Sequence, residues 1–124
     1  MTPVYLDHAA TTPVDPAVLS AMIPFLGEVY GNPSSMYGPG RQARAAIDAA
    51  RDAVSAALGC ESREVIFTSG GSESDNLAIR GVAARNHDRG GHIICSQVEH
   101  HAVLHTCQDV ERDGFEVTYL PVDA

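Results

Sequence analysis

The chain contains no lysine: all eight of its basic residues are Arg. Any chemistry that needs a lysine amine therefore cannot be completed by these 124 residues alone, and a Walker-type phosphate loop is excluded for the same reason. Cysteine is scarce and odd in number. Cys60, Cys95 and Cys107 form no C-x-x-C pair, which fits reduced thiols rather than a disulfide framework. No apolar run approaches transmembrane length, and the first seven residues have neither a basic n-region nor an apolar h-region. A cytoplasmic location is expected. Positive charge is also short: a net charge of −8, an isoelectric point near 5.0 and scattered Arg residues argue against nucleic acid or an anionic membrane as the main partner.

What is present suits one ordinary domain, since 44% hydrophobic content is enough for a core at this length. No repeat, low-complexity tract or linker divides the chain. Residues 1–60 read as an N-terminal arm with helices, and residues 61–124 as the start of an α/β layer. In the arm, Asp15-Pro16 is a strong helix start, leading into Val18, Met22, Phe25, Leu26 and Val29 at helical spacing, with Pro24 expected to kink or shorten the helix. Gly31-Asn32-Pro33-Ser34-Ser35 reads as a turn. Arg41 to Leu58 is an Ala-rich helix with Ile47, Ala50, Val54 and Leu58 on one face and Gly59 just beyond its end.

Three strands are expected after this, Val65–Thr68, His92–Ser96 and Glu116–Leu120, separated by helical stretches around Glu73–Arg85 and Glu99–Asp113. Alternation of strand and helix argues for βαβ units and a sheet of parallel character. The first two strands are nearly continuous apolar runs, the pattern of strands covered on both faces. Three strands with few helices look like the beginning of a larger, incomplete domain.

The run Ser69-Gly70-Gly71-Ser72, between a strand and a helix, has the design of an anion cradle: glycines permit close approach, and free N–H groups plus a hydroxyl face the anion. The same residues also serve as an ordinary strand-to-helix turn with Ser as cap. There is no G-x-G-x-x-G, so a small monophosphate is the ligand that fits. Further on, Ser96 and Glu99 have capping-box spacing, which would fix the first turn of the next helix and set His100 near the C-terminal edge of the sheet. Ligands bind at that edge in open α/β sheets, so Gly71, Ser72 and His100 can converge there. A His at that place stacks on a flat ring or shuttles protons, although a lone His is more often a solvated surface residue. His101 and His105 are four apart, but the third ligand or general-base Glu of a zinc-protease helix is missing, and no metal is expected. Cys95 in an apolar strand and Cys107 on an apolar helical stripe read as inert buried thiols, and Cys60 has only Arg63 near it to lower its pKa.

Four motifs in order carry a resemblance: Tyr5-Leu6-Asp7-His8-Ala9-Ala10-Thr11-Thr12-Pro13, Gly31-Asn32-Pro33-Ser34-Ser35, Phe67-Thr68-Ser69-Gly70-Gly71-Ser72-Glu73-Ser74-Asp75-Asn76, and Glu99-His100-His101-Ala102-Val103-Leu104. Together the chain resembles the N-terminal part of cysteine desulfurases, homodimeric fold type I pyridoxal-phosphate enzymes of the class V aminotransferase group. The resemblance implies the opening of the fold type I large domain, with pyridoxal 5'-phosphate as cofactor and L-cysteine as substrate. It makes Gly70, Gly71 and Ser72 cofactor-phosphate residues, His100 the ring-stacking residue that assists proton transfer, and Asn32 a residue of the substrate-side turn. Tyr37 departs from the family, many members having His there, and Gly-Gly-Ser replaces the commoner Gly-Ala-Thr.

The same resemblance places the Schiff-base Lys, the pyridinium-pairing Asp, the substrate-carboxylate Arg and the sulfur-accepting Cys in a part that would follow Ala124. Without the Lys and the pyridinium partner the chain alone is expected to be inactive. The leading expectation is a part of a desulfurase that yields L-alanine and an enzyme persulfide for iron-sulfur cluster assembly or other sulfur transfer. It would work with the C-terminal part in cis or in trans and pass sulfur to an acceptor or scaffold protein. The alternatives are a non-catalytic phosphate-binding remnant or interaction module, and a selenocysteine lyase or other class V relative, because a cofactor cradle does not specify substrate.

Overall fold

A computed structural model of the chain describes residues 4–123. These fall into two compact units, the first ending at Val65 and the second beginning at Ile66.

The first unit holds helix α1, Pro16–Gly27, and helix α2, Gly38–Leu58. Asp15 caps α1 as its spacing demands, its side chain accepting from the Ala17 N–H at 2.7 Å, with Pro16 at the first helical position. Pro24 stays inside the helix, which closes three residues later, its carbonyl taking both the Glu28 and Val29 amides at 2.9 Å. The apolar face of α1 is not buried within its unit: Val18, Met22, Phe25 and Leu26 are all exposed, and α1 does not pack on α2, the other helix of that unit. Helix α2 begins three residues earlier than expected and ends at Gly59, whose φ of 69° is the left-handed closure that glycine alone adopts without strain. Its expected stripe is likewise largely uncovered, Leu58 being 72% exposed, while Gly40, Ala43 and Ser55 are the residues it buries. Buried Ser55 is satisfied, donating to the Asp52 carbonyl at 2.9 Å and sharing a 3.2 Å bond with Ser62 in the 3-10 turn Ser62–Glu64.

The second unit holds helix α3, Gly71–Asn86, strand β1, His92–Ser96, helix α4, His101–Arg112, and strand β2, Glu116–Leu120. β1 and β2 pair in parallel, with Ile93 opposite Val117 and Cys95 opposite Tyr119. Parallel pairing requires a crossover, which α4 supplies by packing on both strands. The core lies between α4 and the sheet, where Cys95, Thr106, Cys107 and Val110 are buried. Helix α3 lies along α4, with Ala83 buried at the contact and an ion pair between Arg80 and Asp109.

The expected strand Val65–Thr68 does not join the sheet, whose order is β1-β2. An apolar run becomes a strand only where a neighbouring edge takes its amides, and among the described residues neither outer edge of the β1-β2 pair does so. Nor is β1 covered on both faces among the described residues: Ile93 and Cys95 turn toward α4, while Ile94 is 63% exposed.

Candidate functional site

The start of α3 carries the expected cradle residues. Gly70 is the N-cap and has no side chain to close the helix; Gly71, Ser72 and Glu73 form the first turn. The first amides of a helix have no partner within it. Among the described residues nothing accepts from the N–H groups of Gly70, Gly71 or Ser72, and the Ser72 hydroxyl is unpaired. A Cβ placed on Gly70 or Gly71 would meet no atom within 4 Å, so neither glycine is crowded by its surroundings. Three amides and a hydroxyl at the positive end of a four-turn helix suit a phosphate monoester.

The flanks of this turn are tied. Glu73 reaches back so that one carboxylate oxygen, Oε2, accepts from both the amide and the hydroxyl of Ser69, each at 2.6 Å. Those two bonds, the hydroxyl's first, hold the Glu73 carboxyl below its ordinary pKa. Thr68 donates to the Gly70 carbonyl at 3.2 Å and shares a 2.6 Å bond with the Ser74 hydroxyl. Sequence reasoning passed over Glu73, although a carboxylate at the third helical position opposite an upstream Ser is a variant of the capping box and was there to be read.

His100 lies just beyond the carboxyl end of β1 and is exposed. It is itself the N-cap of α4, its Nδ1 accepting from the Ala102 N–H at 3.1 Å. That corrects the expected capping box. The Gln97 amide still bonds the Leu120 carbonyl at 2.9 Å, which keeps the chain beside β2 past Ser96 and delays the helix to His101. The Ser96 hydroxyl accepts from Val98 at 3.3 Å and closes a local turn instead. Because Nδ1 accepts, the neutral ring carries its proton on Nε2, the nitrogen facing away from the helix backbone.

Helices α3 and α4 run in the same direction. Arg80 pairs with Asp109, and further on Ala83 and His87 of the α3 side line one cleft with Val110 and Asp113 of the α4 side. Arg80 and Asp109 lie nearly the same number of residues into their helices, so at equal rise the first turns of α3 and α4 open at the same end. An apolar cavity of about 530 Å³ lined by Ile79, Val82, Gly91, Ile93 and Phe115 lies toward the other end of α3 and is no part of this arrangement.

Asn32 lies in the first unit. Its Oδ1 accepts from the Ser34 amide and its carbonyl from the Ser35 amide, both at 2.9 Å, so the expected turn is present. The turn seats directly on the start of α2, where a Cβ on Gly31 would strike the Pro39 carbonyl and one on Gly40 the carbonyls of Asn32 and Ser35. The Asn32 side chain is exposed.

The thiols behave as their positions suggest. Cys95 and Cys107 are buried, and burial, with the Cys95 thiol beside it, pushes the Cys107 thiol up to about 11. The His101 and His105 rings stack with centroids 5.3 Å apart, and no group of three His, Cys, Asp or Glu among the described residues is arranged to hold a metal ion. No helix among them is long and apolar enough to cross a membrane.

Comparison with known proteins decides the family. The Aminotransferase class-V family matches residues 4–124. The chain belongs to the class V aminotransferase family. Among relatives, it is 58% identical over 120 residues to the cysteine desulfurase IscS of Methanosarcina thermophila, covering 97% of this chain and 30% of that protein. It is 54% identical over 123 residues to the putative cysteine desulfurase IscS 1 of Bacillus subtilis (strain 168), covering 99% and 32%. Among solved structures it is similar to a NifS-like protein, at TM-score 0.88 and 43% identity, covering 97% of this chain and 33% of that one. It is also similar to SspA in complex with cysteine, at TM-score 0.83 and 44% identity over 94% of this chain and 33% of the other. The chain thus spans about a third of the class V proteins it matches. Class V aminotransferases and cysteine desulfurases are pyridoxal-phosphate-dependent, and the phosphate of that cofactor is an anion of the kind that the free amides and Ser72 hydroxyl fit.

Proposed function

We propose that the chain forms the amino-terminal part of a pyridoxal-phosphate-dependent cysteine desulfurase, acting on L-cysteine. The observation that carries the reading is the coincidence of a donor-rich helix start at Gly70–Ser72 with 52–58% identity to IscS proteins along nearly the whole chain. SspA, solved in complex with cysteine, supports L-cysteine as substrate.

Gly70, Gly71 and Ser72 would hold the cofactor phosphate through their amides and the Ser72 hydroxyl, with the α3 dipole favouring the charge. His100 would present its ring to the pyridine, its tautomer set by the Ala102 amide so that Nε2 holds the mobile proton. Asn32, in a turn held against α2, would stand on the substrate side. Bound pyridoxal phosphate supplies an electron sink for cleaving bonds of the amino acid. With no Lys in the chain, the amine that carries the cofactor comes from the remaining two thirds of the enzyme, in cis or in trans. Cys95 and Cys107 are buried, and burial raises the Cys107 thiol to about 11, so neither is suited to receive sulfur, and the proposal places that role on a thiol in the rest of the enzyme. A homodimeric, cytoplasmic enzyme delivering persulfide sulfur to an acceptor protein completes the proposal, and residues 61–124 would open its cofactor-binding domain.

Absorbance of the purified chain with pyridoxal phosphate, before and after borohydride, alone and mixed with the carboxy-terminal part of a relative, tests this. A reducible band only in the mixture, with alanine formed from cysteine, is expected. A mixture that binds the cofactor but leaves cysteine untouched would contradict the desulfurase assignment.

A further inference from the structure

Ser69 and Ser72 flank the two glycines and look equivalent in the sequence as hydroxyl donors to a phosphate. The structure separates them. Both donors of Ser69 are committed to a single oxygen of Glu73 at 2.6 Å, in the range of strong charge-assisted bonds, whereas the Ser72 hydroxyl is unpaired among the described residues. A second tie, from Thr68 to the Gly70 carbonyl and the Ser74 hydroxyl, crosses the first. Between these ties lie Gly70 and Gly71, the two residues of the turn with the greatest backbone freedom to lose.

We propose that Glu73 is a positioning residue of the cradle: by holding the amide and hydroxyl of Ser69 it fixes the turn and leaves the amides of Gly70, Gly71 and Ser72 and the Ser72 hydroxyl as the donors that meet the phosphate. The inference rests on the reading of residues 70–72 as a phosphate site and deepens it. An untied pair of glycines would be ordered by the ligand at the moment of binding, and that ordering would come out of affinity. A carboxylate close to a phosphate site also repels the anion, so the tie and the charge act in opposite directions. The two effects separate in variants, because Gln keeps an acceptor oxygen and removes the charge, while Ala removes both.

The test is a titration of the full chain with pyridoxal phosphate, with inorganic phosphate as competitor, for the native sequence and for Glu73→Gln, Glu73→Ala, Ser69→Ala and Ser72→Ala. Hydrogen exchange at the Ser69 amide is followed alongside. Glu73→Ala should weaken binding roughly tenfold and speed Ser69 exchange, as the loss of two hydrogen bonds implies, and Glu73→Gln should stay within about threefold of native. Ser69→Ala should cost less affinity than Ser72→Ala. Tighter binding by both Glu73 variants would overturn the proposal, showing Glu73 to act only as a repelling charge. So would native affinity in Glu73→Ala together with accelerated Ser69 exchange. A native chain that takes up neither pyridoxal phosphate nor inorganic phosphate would overturn the phosphate reading and this inference with it, an outcome distinct from a change confined to the Glu73 variants.

Discussion

At the start of α1 the first amides meet a carboxylate, Asp15 accepting from Ala17 at 2.7 Å; at the start of α3 the N-cap is Gly70 and the amides of Gly71 and Ser72 have no partner among the described residues. Both starts carry an acidic side chain, yet it is used differently. Asp15 sits at the cap and spends itself on the helix, whereas Glu73 sits inside the first turn and spends itself on the residue before the cap. The first arrangement closes a helix. The second leaves its positive end open while tying down its approach. Of the other two helices, α4 is capped by His100, whereas α2, with Tyr37 at its N-cap, has no side-chain cap either; what sets α3 apart is the unpaired Ser72 hydroxyl beside its free amides and the Ser69–Glu73 tie in front of them.

The most severe way to break the contrast is to give α3 the cap that α1 has. Gly70 is extended, with φ at 163°, and a side chain there meets no atom within 4 Å, so Gly70→Asp is sterically accepted. Its carboxylate should occupy the free amides, lowering affinity for pyridoxal phosphate about a hundredfold while raising helix stability by only about 0.3 kcal/mol, because glycine is itself a tolerable N-cap. Titration and thermal melting of the same sample measure both. The reciprocal change, Asp15→Ala, should cost about 1 kcal/mol in stability and leave affinity at Gly71 and Ser72 unaltered.

Acid offers a subtler break. The Ser69 hydroxyl and then its amide bond the ionised form of Glu73, so its folded pKa lies below the ordinary 4.5. The stabilisation from this tie is therefore full above about pH 4.5 and is lost as pH falls through the lowered folded value. Protection of the Ser69 amide, corrected for intrinsic exchange, should be flat down to that pH and decline below it. The smallest effect is expected at Gly71, whose φ is not positive and whose Cβ position is open. Gly71→Ala should keep cofactor affinity within about twofold and add about 0.5–1 kcal/mol of stability through the unfolded chain, sharpening the point that the backbone, not the absence of a side chain, makes the cradle.

Local signals were the legible part of this chain. Asp15-Pro16 and the left-handed Gly59 depend on a few neighbouring residues, and each is where the spacing puts it, whereas α3 opens at Gly71, two residues before the expected Glu73, with Gly70 and not a Ser at its cap. The predicted partners of surfaces were less legible. The Val18–Leu26 face of α1 and the Val54–Leu58 end of the α2 stripe are amphipathic as read but bare, because periodicity reports that a face needs covering and not what covers it. Val65–Thr68 has strand composition without a place in the sheet, since pairing is a property of two segments. The start of α4 was misplaced because Gln97 still bonds β2, a nonlocal bond that the Ser96–Glu99 spacing cannot reveal. His100 was singled out for its position after β1, and the structure adds the cap that fixes its tautomer.

The most direct test of the account is an amide NMR footprint of the full chain titrated with pyridoxal phosphate and, in parallel, with pyridoxal. Pyridoxal phosphate should shift Gly70, Gly71 and Ser72 most strongly, with His100 following, and pyridoxal should leave the three cradle amides unmoved. Equal shifts from both compounds, or shifts confined to residues far from the start of α3, would contradict it.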